Sequence, residues 1–395
     1  MWKTCLGLNG FISGKLHGYS YTLDEVLSRA RELGFDGVEI HNAFDPFPGE
    51  GEDIGRWKER YERYGLRIAG LQGHVPLPGA HPNPEVRRRY AEMARRQIDL
   101  AVALGAEFVG FWPGGRDPSL SDEEIIDRLI DTFRQVAPYA EEKEVRIHIE
   151  PEPVQIDYKL EIAYAVVEGV GSPAFGVLCD TAHFNVLSGG EPYRWMRRFA
   201  GRISHLHLAD NDRTALDIPG SSGSSKHMIF GEGELKLERI IPTLVQAGYE
   251  GWIQIDVWEH PDPLRCAEMN KRALDDVLSR FERSRVRVFS PKPGSKEATY
   301  EVLPVSSIIN RFEGMHISLV NVEPGKPAKE MHRHEEDEEL WMILSGRGLV
   351  VFDGGFEAEV EAGDVIYCPL GGEHHIRNIG DEVLSIFNVH LPLKR

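Results

Sequence analysis

Carboxylates and imidazoles fall at the ends of four apolar runs, a pattern that suits a divalent cation. The first run is VRIHIEPEP, Val145–Pro153, which stops at Glu150 and two prolines. Its alternation puts Val145, Ile147 and Ile149 on one strand face, and the prolines end the strand. VLCDTAH (Val177–His183) places Asp180 and His183 at its tip, ISHLHLAD (Ile203–Asp210) carries His205 and His207, and WIQIDVW (Trp252–Trp258) carries Asp256. The tip of a buried parallel strand is where βα enzymes put their chemistry. Together these strands offer hard oxygen donors and one nitrogen, a set for Mn²⁺, Mg²⁺, Co²⁺ or Zn²⁺. One such carboxylate alone is equally a helix cap or an ion-pair partner. The convergence of four is what points to a metal.

The elements that must position these residues alternate strand and helix through residues 1–283. Strands are expected at Thr4–Ile12, Gly37–Asn42, Arg67–His74, Glu107–Pro113, Val145–Glu150, Phe175–Thr181, Ile203–Leu208 and Gly251–Val257. Capping boxes open helices at Thr22 with Glu25 and at Ser121 with Glu124, and glycines at 34, 65, 105 and 248 close others. Eight strand–helix units read as a (β/α)8 barrel, an α/β fold of typical length. A doubly wound open sheet is the alternative, and no glycine-rich phosphate loop after strand one supports it. Glu39, His41, His74 and Trp112 are pocket candidates that read equally well as wall. His148 reads as packed under a helix or in the barrel wall, and His205 as the packed member of its pair.

Residues 284–298 (SRVRVFSPKPGSKEA) are basic and proline-bearing, and read as a linker. From Thr299 to residue 395, short alternating runs between Gly, Pro and Asp turns read as an all-β domain.

Composition narrows the partners. The chain has 395 residues, is 41% hydrophobic and carries a net charge of −18. That argues against nucleic acid or an anionic membrane as main partner. No apolar run is long enough for a span, and the N-terminus lacks a signal-peptide pattern. Cys5, Cys179, Cys266 and Cys368 are far apart, and Cys179 and Cys368 sit in apolar strands. Buried reduced thiols fit the cytoplasm.

IEP at 149–151, CDTAH at 179–183, HLHLADNDR at 205–213, FGEGEL at 230–235 and GYEGWIQID at 248–256 resemble the xylose isomerase-like barrel superfamily. Its members include ketose 3-epimerases, hydroxypyruvate isomerase, inosose dehydratase and isomerase, dehydroshikimate dehydratase and apurinic endonucleases. The resemblance implies metal ligands at Glu150, Asp180, His207 and Asp256. It implies substrate contacts at His183 and Arg213, with His74 and Trp112 as further pocket residues. It makes Glu150 and Asp256 the proton-transfer pair. The last carboxylate is usually glutamate in the family, so Asp256 has a shorter reach, and Glu259 is the alternative base. Such a site isomerises or epimerises a small polyhydroxy keto compound by proton abstraction next to a carbonyl, and dehydration is the alternative outcome. The Gly/Ser-rich loop Thr214–Met228 reads as a surface insertion or as a lid. His227 within it resembles a metal histidine of the endonucleases. Ser225 and Trp112 stand where that site needs other ligands, so a nuclease is not expected.

GKPAKEMHRHEEDEELWMILSG (Gly325–Gly346) and GDVIYCPLGGEHHIRN (Gly363–Asn378) resemble the two cupin motifs, the first with one extra residue. That implies a double-stranded β-helix with metal ligands His332, His334, Glu339 and His374, Glu338 being the alternative carboxylate. The metal would be Zn, Mn, Fe or Ni. The module reads as a second catalytic unit or as a ligand-binding one; cupins do both. By resemblance the chain is a homo-oligomer acting on a carbohydrate-like small molecule.

Overall fold

Strands β1 (Lys3–Gly7), β2 (Gly37–His41), β3 (Arg67–Gly73), β4 (Phe108–Phe111), β5 (Arg146–Ile149), β6 (Phe175–Asp180), β7 (Ile203–Leu208) and β10 (Trp252–Ile255) close into a parallel barrel. Their order around it is β1-β10-β7-β6-β5-β4-β3-β2. The short strands β8 (Ala215–Leu216) and β9 (Ser224–Ser225) pair antiparallel outside it. The computed structural model describes residues 2–12, 17, 21–41, 53–114, 117, 119–153, 159–216, 224–284, 287–289 and 316–392. The chain divides into two compact units, Met1–Lys236 with Tyr249–Ala273, and Leu237–Gly248 with Leu274–Arg395.

Local signals set the helices of the first unit. Helix α1 is a single turn, Asn9–Ile12, and α2 spans Leu23–Glu32. The α2 capping box forms: Glu25 N–H donates to Thr22 Oγ1, and Glu25 Oε2 accepts from the Thr22 amide at 2.8 Å. Helix α3 is Ile54–Glu62. In α4 (Pro84–Leu104), Asn83 caps the start, proline fills the first turn, and Gly105 ends it at φ 73°. Ser121 and Glu124 box the start of α5 (Asp122–Glu142) in the same way. Each cap contributes roughly 1 kcal/mol by satisfying otherwise orphaned amides. Helices α6 (Leu160–Val170), α7 (Thr181–Leu187) and α8 (Pro192–Arg198) follow; α9 (Leu237–Gln246) falls in the second unit, and α10 (Pro263–Arg283) is divided between the two after Ala273.

Strand one is shorter than its apolar run. It ends at Gly7, and Asn9–Ile12 turns into α1, with the Gly10 amide donating to Asn9 Oδ1 and the Phe11 amide to the Leu8 carbonyl. Asn42, expected at the end of strand two, lies outside the described residues. So do 217–223 of the Gly/Ser-rich loop and 290–298 of the expected linker.

On β5 the apolar residues face outward and the polar ones inward. Ile147 and Ile149 face out, while His148 faces the interior, where its ring lies 5.6 Å from Phe108 and 5.8 Å from His205. His148 is therefore not under a helix: strand alternation puts it on the same side as Glu150. Gly110 makes room for this layer, because a Cβ there would collide with the Gln72 and His148 side chains. At the N-terminal ends of the strands, Cys5, Ala69, Phe108 and Trp252 form a buried apolar cluster. All four cysteines are free and buried. No helix among the described residues is long and apolar enough to cross a membrane.

In the second unit, β11 (Arg287–Phe289), β12 (His316–Val322), β13 (Asp337–Ser345), β14 (Arg347–Phe352), β15 (Phe356–Glu361), β16 (Val365–Cys368), β17 (His374–Asn378) and β18 (Leu384–Pro392) form two antiparallel sheets. Their orders are β11-β16-β13-β18-β12 and β15-β14-β17. Trp341, Ile343, Leu349, Ile376 and Ile386 fill the core. The alternating run of β15 is masked in the sequence by Glu357, Glu359 and Glu361.

Candidate active site

The four carboxylate and imidazole positions meet at the C-terminal ends of β5, β6, β7 and β10. His207 Nδ1 lies 3.2 Å from Asp256 Oδ2, 3.7 Å from Glu150 Oε1 and 3.8 Å from Asp180 Oδ2. All four side chains are buried. Donor atoms of Glu150, Asp180 and His207 lie within 4.8 Å of one another. Nδ1 of His207 is buried without a hydrogen-bond partner. A buried imidazole nitrogen ringed by three carboxylates suits a divalent cation, and these are residues that could hold one.

The second contacts of each donor fix its direction. Trp112 Nε1–H donates to Glu150 Oε2 at 2.9 Å. Asp180 Oδ1 accepts the His183 amide at 2.9 Å, so it caps α7 with one oxygen and faces the site with the other. Asp256 Oδ1 accepts the Trp258 amide at 2.8 Å. His183 Nε2 lies 3.6 Å from Glu150 Oε1 and 3.7 Å from Glu152 Oε1, and its Nδ1 is 2.8 Å from Ser225 Oγ.

The charges oppose one another strongly. Burial raises Glu150 to about 7; His207 counteracts this, while Asp180 and Asp256 reinforce it. Burial also opposes ionisation of Asp180, but His183 and His227 outweigh it and hold the carboxyl at about 2. Burial, then Glu150 and Asp180, push Glu152 well above the carboxylate range. Burial disfavours a charged His207, yet Glu39 and Asp256 raise it well above the usual imidazole range.

Two expected pocket residues stand elsewhere. Arg213 is backbone-strained at φ 67°, its side chain is 55% exposed, and Glu234 holds its guanidinium at 2.9 Å. It is satisfied at the surface and does not join the buried cluster. His74 lies one residue beyond β3 and is exposed. Glu259 is buried, at a turn with φ 53°. Glu152 and Ser225 were not expected in the cluster, and His227 was singled out only by its likeness to a metal histidine of the endonucleases. Glu152 is two after Glu150, and its Oε2 is buried without a hydrogen-bond partner. Ser225 and His227 arrive from the loop after β7, where Asp210 and Met228 bridge; His227 Nε2 lies 3.1 Å from Asp180 Oδ2. The spacing from Glu150 was the available signal for Glu152.

The second unit holds a second donor set. His332, His334, Glu339 and His374 place their donor atoms within 4.8 Å of one another. An antiparallel bridge sets His332 opposite His374. The Nδ1 atoms of His332 and His374 lie 2.8 Å and 2.9 Å from the carbonyls of Glu330 and Gly372. A carbonyl only accepts, so both Nδ1 atoms carry protons, and Nε2 is the nitrogen through which each ring would ligate a cation. His374 Nε2 is 2.8 Å and His334 Nε2 3.2 Å from Glu339 Oε2. Glu339 faces inward and not Glu338, because β13 alternates. Burial opposes its charge, but the hydrogen bond from His374 and the nearby His334 and His390 bring it down to about 2. His390 and Asp337 complete this wall: His390 Nε2 is 2.7 Å from Glu339 Oε1, and its Nδ1 is 2.6 Å from Asp337 Oδ2. Their signal was the inward alternation of the last strand, which continues past Val389. The set borders a cavity of about 180 Å³.

The model of the xylose isomerase-like TIM barrel matches residues 27–280. The chain belongs to that family. In this xylose isomerase-like chain, residues 318–390 match the cupin domain model. The inosose dehydratase of Geobacillus kaustophilus is 24% identical over 283 residues, covering 66% of this chain and 89% of the relative. The fructoselysine 3-epimerase of Shigella flexneri is 24% identical over 250 residues, covering 60% and 85%. The solved structure of the IolI protein with a bound zinc atom covers 70% of the chain and 98% of its own length, at a TM-score of 0.55 and 18% identity. That likeness shows the fold alone.

Proposed function

We propose that the barrel is a divalent-metal-dependent isomerase or epimerase acting on a small polyhydroxy keto compound: a ketose, keto-acid sugar or inosose. The observation that carries this is the convergence of Glu150, Asp180 and Asp256 on Nδ1 of His207. Glu150, Asp180, His207 and Asp256 would hold the cation, which would supply a Lewis acid for a substrate carbonyl and so make the neighbouring C–H more acidic. Glu150 and Asp256 stand on different strands and are the pair to take and return the proton. Trp112 aims Glu150, and the Trp258 amide aims Asp256. His183, with Nε2 turned toward Glu150 and Glu152, holds a substrate oxygen. A named epimerase among the relatives supports the reading.

A second reading, loss of a β-hydroxyl, is favoured by Glu152. Its buried carboxyl beside His183 is placed to protonate a leaving hydroxyl. Inosose dehydratases among the relatives support that reading. The cupin unit is a second metal-holding module, catalytic or ligand-binding, within a homo-oligomer.

The test is proton NMR of reactions in D₂O with Mn²⁺-loaded protein and a panel of ketoses, inososes and dehydroshikimate. Deuterium next to the carbonyl with a new isomer supports isomerisation or epimerisation. Loss of a hydroxyl selects dehydration. No exchange with any of them, with metal bound in the barrel, rejects both.

A further inference from the structure

Behind His207 lies a carboxylate that does not face the carboxylate cluster. Glu39, on β2, is fully buried in the barrel interior. Its Oε1 lies 3.1 Å from His207 Nε2, and its Oε2 lies 2.6 Å from His205 Nε2. His41 Nε2 is 3.5 Å from the same Oε1. β2 and β7 are not neighbours in the barrel, so Glu39 reaches across the interior to both histidines. His205 is itself held, its ring stacked at 3.9 Å on Phe108. That anchors one carboxylate oxygen and leaves the other for His207.

A carboxylate accepts, so the proton on His207 Nε2 points at Glu39. The lone pair for a cation is then on Nδ1, the nitrogen that faces Asp256, Glu150 and Asp180. Turning the ring over about Cβ–Cγ would put carbon Cδ2 where Nδ1 faces the three carboxylates and carbon Cε1 where Nε2 meets Glu39, so both contacts would be lost. Metal-ligating histidines are commonly oriented by a carboxylate on their other nitrogen.

We propose that Glu39 is the positioning residue of the barrel centre, fixing His207 as a donor through Nδ1. This rests on the reading that the barrel holds a divalent cation. Glu39 touches neither cation nor substrate; it acts through His207. A purely structural Glu39 would stabilise the fold without affecting the cation.

The experiment uses the full-length chain with His332, His334 and His374 changed to alanine, which breaks both donor groups of the second unit so that the barrel is what titrates. Mn²⁺ affinity is measured by EPR of the free ion for this background, Glu39→Gln and Glu39→Ala, beside thermal melts of the metal-free proteins. Glu39→Gln is isosteric and serves if Glu39→Ala does not fold. Affinity is expected to fall about 10- to 100-fold, more for alanine than for glutamine. In the Zn²⁺-loaded background, ¹⁵N spectra of labelled histidine are expected to show His207 bound through Nδ1 with its proton on Nε2. Unchanged affinity with only a lowered melting temperature, or binding through Nε2, overturns the assignment. A background protein that takes up no Mn²⁺ overturns instead the metal reading it rests on.

Discussion

Trp112 donates its indole N–H to one oxygen of Glu150, at 2.9 Å, and the other oxygen of that carboxylate is the one facing His207 and His183. The indole thus decides which oxygen enters the site. Trp112→Phe removes the donor and keeps most of the ring. It is expected to slow the reaction by roughly ten-fold, as the loss of one hydrogen bond to a charged group of about 1.5 kcal/mol implies. Steady-state rates with and without saturating Mn²⁺ check this: saturation with metal is not expected to restore the rate.

Asp180→Asn keeps the shape of a cation donor and removes its charge. The full-length variant is expected to lose the barrel metal and keep the cupin metal. Elemental analysis would move from two equivalents per chain to one. Solvent deuterium exchange into the substrate would be lost with it.

Protons and cation compete for His207. Burial pulls its pKa down, but Glu39 and Asp256 outweigh this and raise it well above the imidazole range. The protonated ring cannot ligate, so the metal-free site holds a proton that a cation must displace. Affinity for Mn²⁺ is therefore expected to rise with pH, with protons released on loading. Calorimetry at pH 7 in buffers of different ionisation enthalpy measures that release, and a buffer-independent heat would contradict it.

Gly110 is where the barrel interior tolerates no side chain. A Cβ would meet Gln72 and His148, both inside the closed barrel. Gly110→Ala is expected to cost about 1–3 kcal/mol, the usual range for overpacking. That corresponds to a melting-temperature drop of roughly 2–4 °C per kcal/mol for a domain of this size. Thermal unfolding of the metal-free protein measures it.

The amino-acid order by itself determined the local signals and the repeat. Alternation, capping boxes and closing glycines specify eight strand–helix units, because these preferences act within a few residues. The apolar runs also put Glu150, Asp180 and Asp256 at strand ends, whereas the choice between Glu338 and Glu339 stayed open until the alternation of β13 turned Glu339 inward. What only the tertiary structure decided is which groups meet across the barrel. Glu39 and His207 are 168 residues apart, and their contact exists because closure brings β2 and β7, which do not pair, to face one interior. Arg213 went to Glu234 because a nearby carboxylate satisfies a guanidinium at the surface, which no spacing foretells. His227 reached Asp180 because the loop carrying it is tied down by the Asp210–Met228 bridge. Sequence spacing reports the period of one element, whereas a site is assembled from contacts between elements.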